Sequence, residues 1–218
     1  TVTGVQTCAL PIWEIRELIG LSLEETIQRL LPDSKAVAVD HLVVAYQEQF
    51  IEYHGSDGSL EPLFPRAEKA LRTLHSRGYM LGVATGKSQH GLEAILEGHK
   101  LRDIFSTLQT ADGHPGKPHP SMLYQAMMET GVETNNTLML GDTSFDMAMA
   151  VNAGVHPVGV AWGYHCTDVL RAAGARTVLE DYCDLLPCVE KIDRKSVVEG
   201  ESVDLGGRRI MKTKKISE

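Results

Sequence analysis

Along the first sixty residues apolar side chains recur at three- and four-residue spacing, whereas beyond Gly78 they gather into short runs. Ser22-Leu-Glu-Glu25 has the form of a capping box, in which the Ser22 hydroxyl accepts an amide three residues on and Glu25 reaches back. It predicts a helix from about Leu23 to Leu31, broken by Pro32-Asp33. From Lys35 to Tyr53 the stripe Val39, Leu42, Val43, Tyr46 and Phe50 predicts one long amphipathic helix. Residues 13–60 therefore read as helical throughout. Pro62 and Pro65 mark a linker, after which Ala67, Ala70, Leu71 and Leu74 repeat the helical stripe up to a terminating Gly78.

The later runs, Tyr79–Ala84, Ser106–Leu108, Thr137–Leu140, Val155–Ala161 and Thr177–Leu179, are strand candidates separated by helical stretches. Such alternation predicts an α/β fold: a Rossmann-like parallel sheet with helices on both faces, preceded by the small helical segment. Ligands of parallel sheets lie at the carboxyl ends of the strands, so chemistry is expected just after each run.

Composition narrows the classes. The 218 residues are 43% hydrophobic and 23% charged, which excludes disordered and collagen-like chains. A net charge of −8 offers no broad footprint for nucleic acid or an anionic membrane, so any phosphate must be bound locally. Cys8, Cys166, Cys183 and Cys188 form no C-x-x-C pair. No apolar run approaches the roughly 18 residues of a membrane span, and no signal-peptide pattern is present. The expectation is a cytoplasmic protein. The chain opens on Thr1, its first twelve residues carry no charge, and residues 193–218 hold seven basic and five acidic groups. Both end segments resemble translated adapter read-through, with an evolved basic tail as the alternative for the second, and both are set aside. The body, residues 13–192, then carries 14 basic and 24 acidic groups.

Three segments carry candidate chemistry. Ala84-Thr85-Gly86-Lys87-Ser88 places a hydroxyl, a glycine and free helix amides where an anion could bind, though an ordinary N-cap reads the same way. It also falls one residue short of a P-loop, because Leu81 stands where the first glycine belongs and Gly82 is one position too close. Gly141-Asp142-Thr143-Ser144-Phe145-Asp146 sets two carboxylates four residues apart at a strand end, a natural place for a divalent cation. Plain helix capping is the alternative there. Between them, Lys117 in Gly116-Lys-Pro-His-Pro120 is restricted by prolines and suits a fixed positive charge. His114 and His119 beside Asp112 match no zinc spacing, His165-Cys166 is read as ordinary packing, and the methionines are read as core filler. Trp162 and Tyr164 follow a strand end and fit either packing or the border of a site.

In this order the segments resemble the haloacid dehalogenase-like hydrolase superfamily, over roughly residues 13–192. Thr85 stands for its second motif, Lys117 for its third, and Asp142 with Asp146 for its fourth. Glu61-Pro-Leu-Phe-Pro65, Gly159–Tyr164 and Arg171-Ala-Ala-Gly-Ala175 are further family-like runs. The resemblance implies a helical cap of the phosphoglycolate phosphatase-like branch at 13–60, an α/β core at 61–192, and Mg²⁺-dependent hydrolysis of a small phosphorylated metabolite. It implies that Thr85 and the Gly86 amide bind the phosphoryl group and that Lys117 neutralises it. Asp142 would hold Mg²⁺, with Asp146 in support.

One departure stands out. The family's first motif, an apolar strand ending in D-x-D-G-T whose first aspartate attacks phosphorus, lies upstream of the cap. Here the first aspartate of any kind is Asp33. The expectation is therefore a fragment that is inactive as written, with two inner strand edges left unpaired. Residues 2–10 are the upstream stretch able to lie there, though nothing in them demands it. The alternatives are a sugar-phosphate mutase of the same fold, a P-loop-like nucleotide binder, and a catalytically dead binding homologue.

Overall fold

The computed structural model describes residues 12–31, 39–55 and 61–199. Expectations for residues 1–11, 32–38, 56–60 and 200–218 lie outside the described residues. Helices α1 (Ile12–Arg16), α2 (Leu23–Leu30) and α3 (Val39–Gly55) come first, and α2 packs on α3. Ser22 caps α2 as the capping box requires, accepting the Glu25 amide at 3.2 Å. The Glu25 carboxylate, expected to reach back, takes Arg29 at 2.8 Å, one turn along the helix. Helix α3 is continuous, but its stripe is only partly covered: Val39 is buried while Leu42 and Tyr46 are exposed. Among the described residues α2 is the element packed most closely on it, and one neighbour buries one narrow face.

After the 61–66 linker, α4 (Ala67–Ser76) ends before Gly78, whose φ of 84° is the left-handed conformation expected of a helix terminator. Five strands follow, alternating with helices: β1 (Leu81–Thr85), α5 (Gln89–Gly98), β2 (Phe105–Thr110), α6 (Ser121–Thr130), β3 (Leu138–Gly141), α7 (Ser144–Ala153), β4 (His156–Val160), α8 (Thr167–Ala172), β5 (Thr177–Leu179) and α9 (Leu185–Glu199). Helix α9 continues beyond Asp193, the point where the composition turns basic. No described helix is long and apolar enough to cross a membrane.

All described pairings are parallel, as the alternation predicts, but they form two pieces. β1 pairs with β2 from Leu81↔Phe105 to Thr85↔Thr110, and β3, β4 and β5 form a second sheet with β4 at its centre. Among the described residues no strand joins β1 to β3. Leu81 and Val83 of β1 and Leu138 and Leu140 of β3 line a common apolar space of about 350 Å³.

Side chains from both faces make the core. Met122, Leu123, Met127, Met149 and Val155 join α6 to α7; Leu74, Tyr79, Val158, Leu179, Leu185 and Val189 join α4 and α9 to the three-stranded sheet. Leu92, Leu96, Leu101 and Ile104 anchor α5. Met122, Met147 and Met149 have no exposed surface, and burying each contributes about 1.5–3 kcal/mol. Met128, by contrast, is 69% exposed on the outer face of α6.

Candidate active site

The carboxyl ends of β1 and β3 face one crevice, and the loop before α6 enters it from the side. Lys117 is drawn inward from that loop: the residue is 7% exposed and its ammonium donates to Asp146 Oδ1 at 2.7 Å. Asp146, 3% exposed, uses its other oxygen to accept the Thr143 amide at 3.1 Å and the Thr143 hydroxyl at 2.8 Å. Thr143 Oγ1 in turn accepts the Asp146 amide, which closes a capping box at the start of α7. A carboxylate that accepts from three donors, one of them a buried ammonium, is an anchor for the lysine. The sequence alone suggested two carboxylates awaiting a cation; the structure gives the second of them a cation from the protein itself.

Asp142 is in a different state. One carboxylate oxygen accepts the Tyr164 amide at 3.1 Å and its carbonyl accepts the His165 amide, so the loop after β4 wraps the side chain. Gly163 makes this wrap possible, because any Cβ there would collide with Asp142. Burial pushes the Asp142 carboxyl above the usual carboxylate range, and the nearby charge of Asp146 adds to the rise, while the Tyr164 amide and Lys117 oppose it. His165 Nδ1 accepts the Ser144 amide at 3.0 Å, which places the ring proton on Nε2 and ties the loop to the first turn of α7.

Thr85 closes β1, and its hydroxyl accepts the Lys87 amide at 3.2 Å. Ser88 caps α5 by accepting the Gly91 amide. Gly86 lies under the turn between α1 and α2: a Cβ at this position would stand 2.6 Å from the Leu21 carbonyl oxygen. The same turn sets Gly20 against the Thr143 side chain, and Ser22 and Glu25 face Gly116. Residues 20–25 thus roof the ends of both sheets. Thr85, Gly86, Lys117, Asp142 and Asp146 all lie around this one crevice, with Lys117 and Asp146 in direct contact.

Sequence reasoning missed Gly20 and Leu21, quoted Thr143 without giving it a role, and read His165 as packing, which its edge-on contact with Phe145 bears out. The glycines at 86 and 116 were the available signal that backbone comes close there, but not of which segment. The other tempting residues are engaged separately. His114 bonds Ser121 through Nδ1 and Gln109 through Nε2, His119 accepts the Ser121 amide, and Asp112 accepts the Gln89 amide. Trp162 packs on Tyr182 with ring centroids 4.6 Å apart, whereas the Tyr164 ring is half exposed. Among the described residues no three His, Cys, Asp or Glu side chains are grouped as a metal cage. Mg²⁺ does not need one: it keeps several waters and typically takes one or two protein carboxylates plus substrate phosphate. The lifted, partly buried Asp142 carboxylate fits that donor set.

Lys117, Asp142 and Asp146 gather at the ends of parallel strands in this order, and residues 5–160 match the haloacid dehalogenase-like hydrolase family. The chain belongs to that family. It is 32% identical over 195 residues to "Probable phosphatase IndB" of Dickeya dadantii, covering 85% of this chain and 82% of the relative. It is 29% identical over 178 residues to a phosphoglycolate phosphatase of Pasteurella multocida, covering 79% and 80%. Among solved structures, a hydrolase from Pseudomonas syringae shares 25% identity with a TM-score of 0.68, covering 84% of each chain.

Proposed function

We propose that this chain carries the catalytic framework of a phosphomonoester hydrolase acting on a small phosphorylated metabolite, of the phosphoglycolate phosphatase-like kind. The observation that carries the reading is the buried Lys117–Asp146 pair set beside the lifted Asp142 at the strand ends. The names of the relatives support it. In this reading residues 13–60 form the cap and 61–192 the core, and the protein works in the cytoplasm without nucleic acid or membrane partners.

Each residue has one task. The Thr85 hydroxyl and the Gly86 amide bind the phosphoryl oxygens, and Lys117 neutralises their charge from a position fixed by Asp146. Asp142 holds Mg²⁺, which when bound supplies electrostatic stabilisation of the transferring phosphoryl group. Asp146 acts through Lys117 and the Thr143 cap. In the family's scheme the attacking group is a carboxylate of an apolar strand ending in D-x-D, which forms an aspartyl-phosphate that water then cleaves. The 218 residues hold no D-x-D before Asp33.

The test restores that strand. An apolar strand ending in D-x-D is fused upstream of α1, and Mg²⁺-dependent phosphate release is measured over a panel of small phosphomonoesters. Release that Asp142→Asn abolishes is expected; no release, or release indifferent to that substitution, would falsify the reading.

A further inference from the structure

Three of the six residues between His114 and Ser121 are proline: Pro115, Pro118 and Pro120. Proline has no N–H to donate, so half of this stretch lacks a main-chain donor. Lys117 stands in the middle of it, 7% exposed, with its ammonium set on Asp146 Oδ1 at 2.7 Å. Side chains supply what the main chain cannot. At the neck of the stretch the two ring nitrogens of His114 reach in opposite directions: Nδ1 meets the Ser121 hydroxyl at 2.7 Å across seven positions, and Nε2 meets Gln109 Oε1 at 2.8 Å. The ring thus ties β2 to the first residue of α6. Further ties lie within the stretch, where the His119 amide donates to the Gly116 carbonyl and Asn152 of α7 to the Pro118 carbonyl, both at 3.0 Å.

The protons along this chain of bonds have one consistent arrangement. Thr107 and Gln109 alternate on β2 and share the face on which α6 packs. Glu129, in the last turn of α6, accepts the Thr107 hydroxyl and the Gln109 amide with Oε2 and the Gln125 amide with Oε1. These donors, the Thr107 hydroxyl foremost, hold the Glu129 carboxyl below the usual carboxylate range, so the group only accepts. The Gln109 side-chain nitrogen donates to Glu129 at 2.9 Å and to Thr107 Oγ1 at 2.7 Å, which turns Oε1 toward His114. An oxygen there requires the ring proton on Nε2, and the neutral ring then accepts the Ser121 hydroxyl at Nδ1. Donation runs one way, from Ser121 through His114 and Gln109 to Glu129, and each bond polarises the next. Thr107 and Gln109 are both 5% exposed, so water competes poorly for them.

We propose that His114 is a positioning residue for Lys117: its bonds to Gln109 and Ser121 clip the neck of the proline-rich loop, and the closed loop delivers the lysine ammonium to Asp146 and the crevice. A lysine carries its charge on a flexible four-carbon stem, so its place in a site is set by the backbone that bears it. A displacement of about 1 Å caused by a remote change can cost about a hundredfold in rate. His114 acts on the crevice through the loop alone. What Lys117 then does to a phosphoryl group rests on the phosphatase reading above; the clip itself does not.

The experiment uses the full chain. His114→Ala and Ser121→Ala open the clip from either side, Ser121→Thr keeps the hydroxyl, and Thr130→Ala removes a hydroxyl at the far end of α6 as a control. Reductive methylation followed by peptide mapping reads the access of reagent to Lys117. Both alanine variants at the clip should label Lys117 roughly tenfold faster than the native chain. Ser121→Thr and Thr130→Ala should label it at the native rate, with amide exchange of β4 and β5 unchanged in every variant. Nitrogen NMR of the native imidazole should show His114 as the Nε2–H tautomer. Native-rate labelling in both clip variants overturns the proposal, and so does faster labelling matched by faster exchange throughout β4 and β5, which marks general loosening. A native His114 protonated on Nδ1 alone reverses the chain and overturns it equally. Calorimetry with inorganic phosphate and Mg²⁺ separates the clip from the phosphatase reading: phosphate should bind the native chain, and His114→Ala roughly fivefold more weakly. Equal binding by the two counts against the clip. A native chain that takes up no phosphate sinks the phosphatase reading instead, and Lys117 labelling alone then decides the clip.

Discussion

Replacing Lys117 by Met keeps the aliphatic stem and removes only the ammonium. In the native protein that ammonium lies 2.7 Å from Asp146 Oδ1, with side-chain exposures of 8% and 4%. Without it, Asp146 retains the Thr143 amide and hydroxyl but has no counter-charge, in a position water reaches poorly. Breaking a buried pair from one side costs about 3–5 kcal/mol. In a protein of this size each kcal/mol moves Tm by about 2–4 °C, so Lys117→Met should lower it by roughly 6–20 °C. Asp146→Asn breaks the same pair from the other side, leaving the buried Lys117 ammonium without its counter-charge, and should also cost about 3–5 kcal/mol. The double variant should cost less than the sum of the two, since no charge is then left buried alone. Urea unfolding of the four proteins at one pH gives the cycle. A Lys117→Met loss below about 1 kcal/mol, or strict additivity, would refute the claim that this pair is closed and coupled.

Two further outcomes follow from the same crevice. The Asp142 carboxyl is held above its ordinary range chiefly by burial, so the folded state binds its proton more tightly than the unfolded chain. That contribution to stability is lost as pH rises from the ordinary carboxylate range through the elevated folded value. Asp142→Asn should therefore raise Tm at pH 7 and flatten the acid side of the stability profile; added Mg²⁺ should stabilise the native protein and not the variant, and a lower Tm for the variant at pH 7 would contradict this. Gly86→Ala puts a methyl 2.6 Å from the Leu21 carbonyl, which should displace the turn over the site and cost about 1–3 kcal/mol; limited proteolysis should then cut faster within residues 17–22, and an unchanged cleavage rate would count against the contact.

The strands were legible because a sheet covered on both faces requires short apolar runs. Thr177–Leu179 is observed at the expected bounds, and the other four lie within two residues of theirs. The start of α2 was legible for a local reason, since Ser22 caps an amide three residues away. Contacts between distant residues left no such mark. Lys117 and Asp146 are 29 positions apart, and Leu21 meets Gly86 across 65. The sequence placed Lys117, Asp142 and Asp146 at strand ends but could not say that two of them neutralise each other. The α3 stripe misled in the opposite direction, because periodicity shows which face is apolar and not whether anything covers it.

The division of the sheet also bears on how the molecule comes apart. Residues 67–130 supply β1 and β2 with α4, α5 and α6, and residues 138–199 supply β3, β4 and β5 with α7, α8 and α9. Each half is a continuous stretch of chain built on near-neighbour crossovers, so each can assemble rapidly from its own contacts. Among the described residues the halves meet through helices, α6 on α7 and α4 on α9, and each ladder stays within its own half. Opening one half breaks none of the other's described ladder bonds, so the two are candidates for separate foldons with their own opening free energies. Heat or denaturant should then melt the molecule in two overlapping steps, read by amide exchange as separate protection of β1–β2 and of β3–β5.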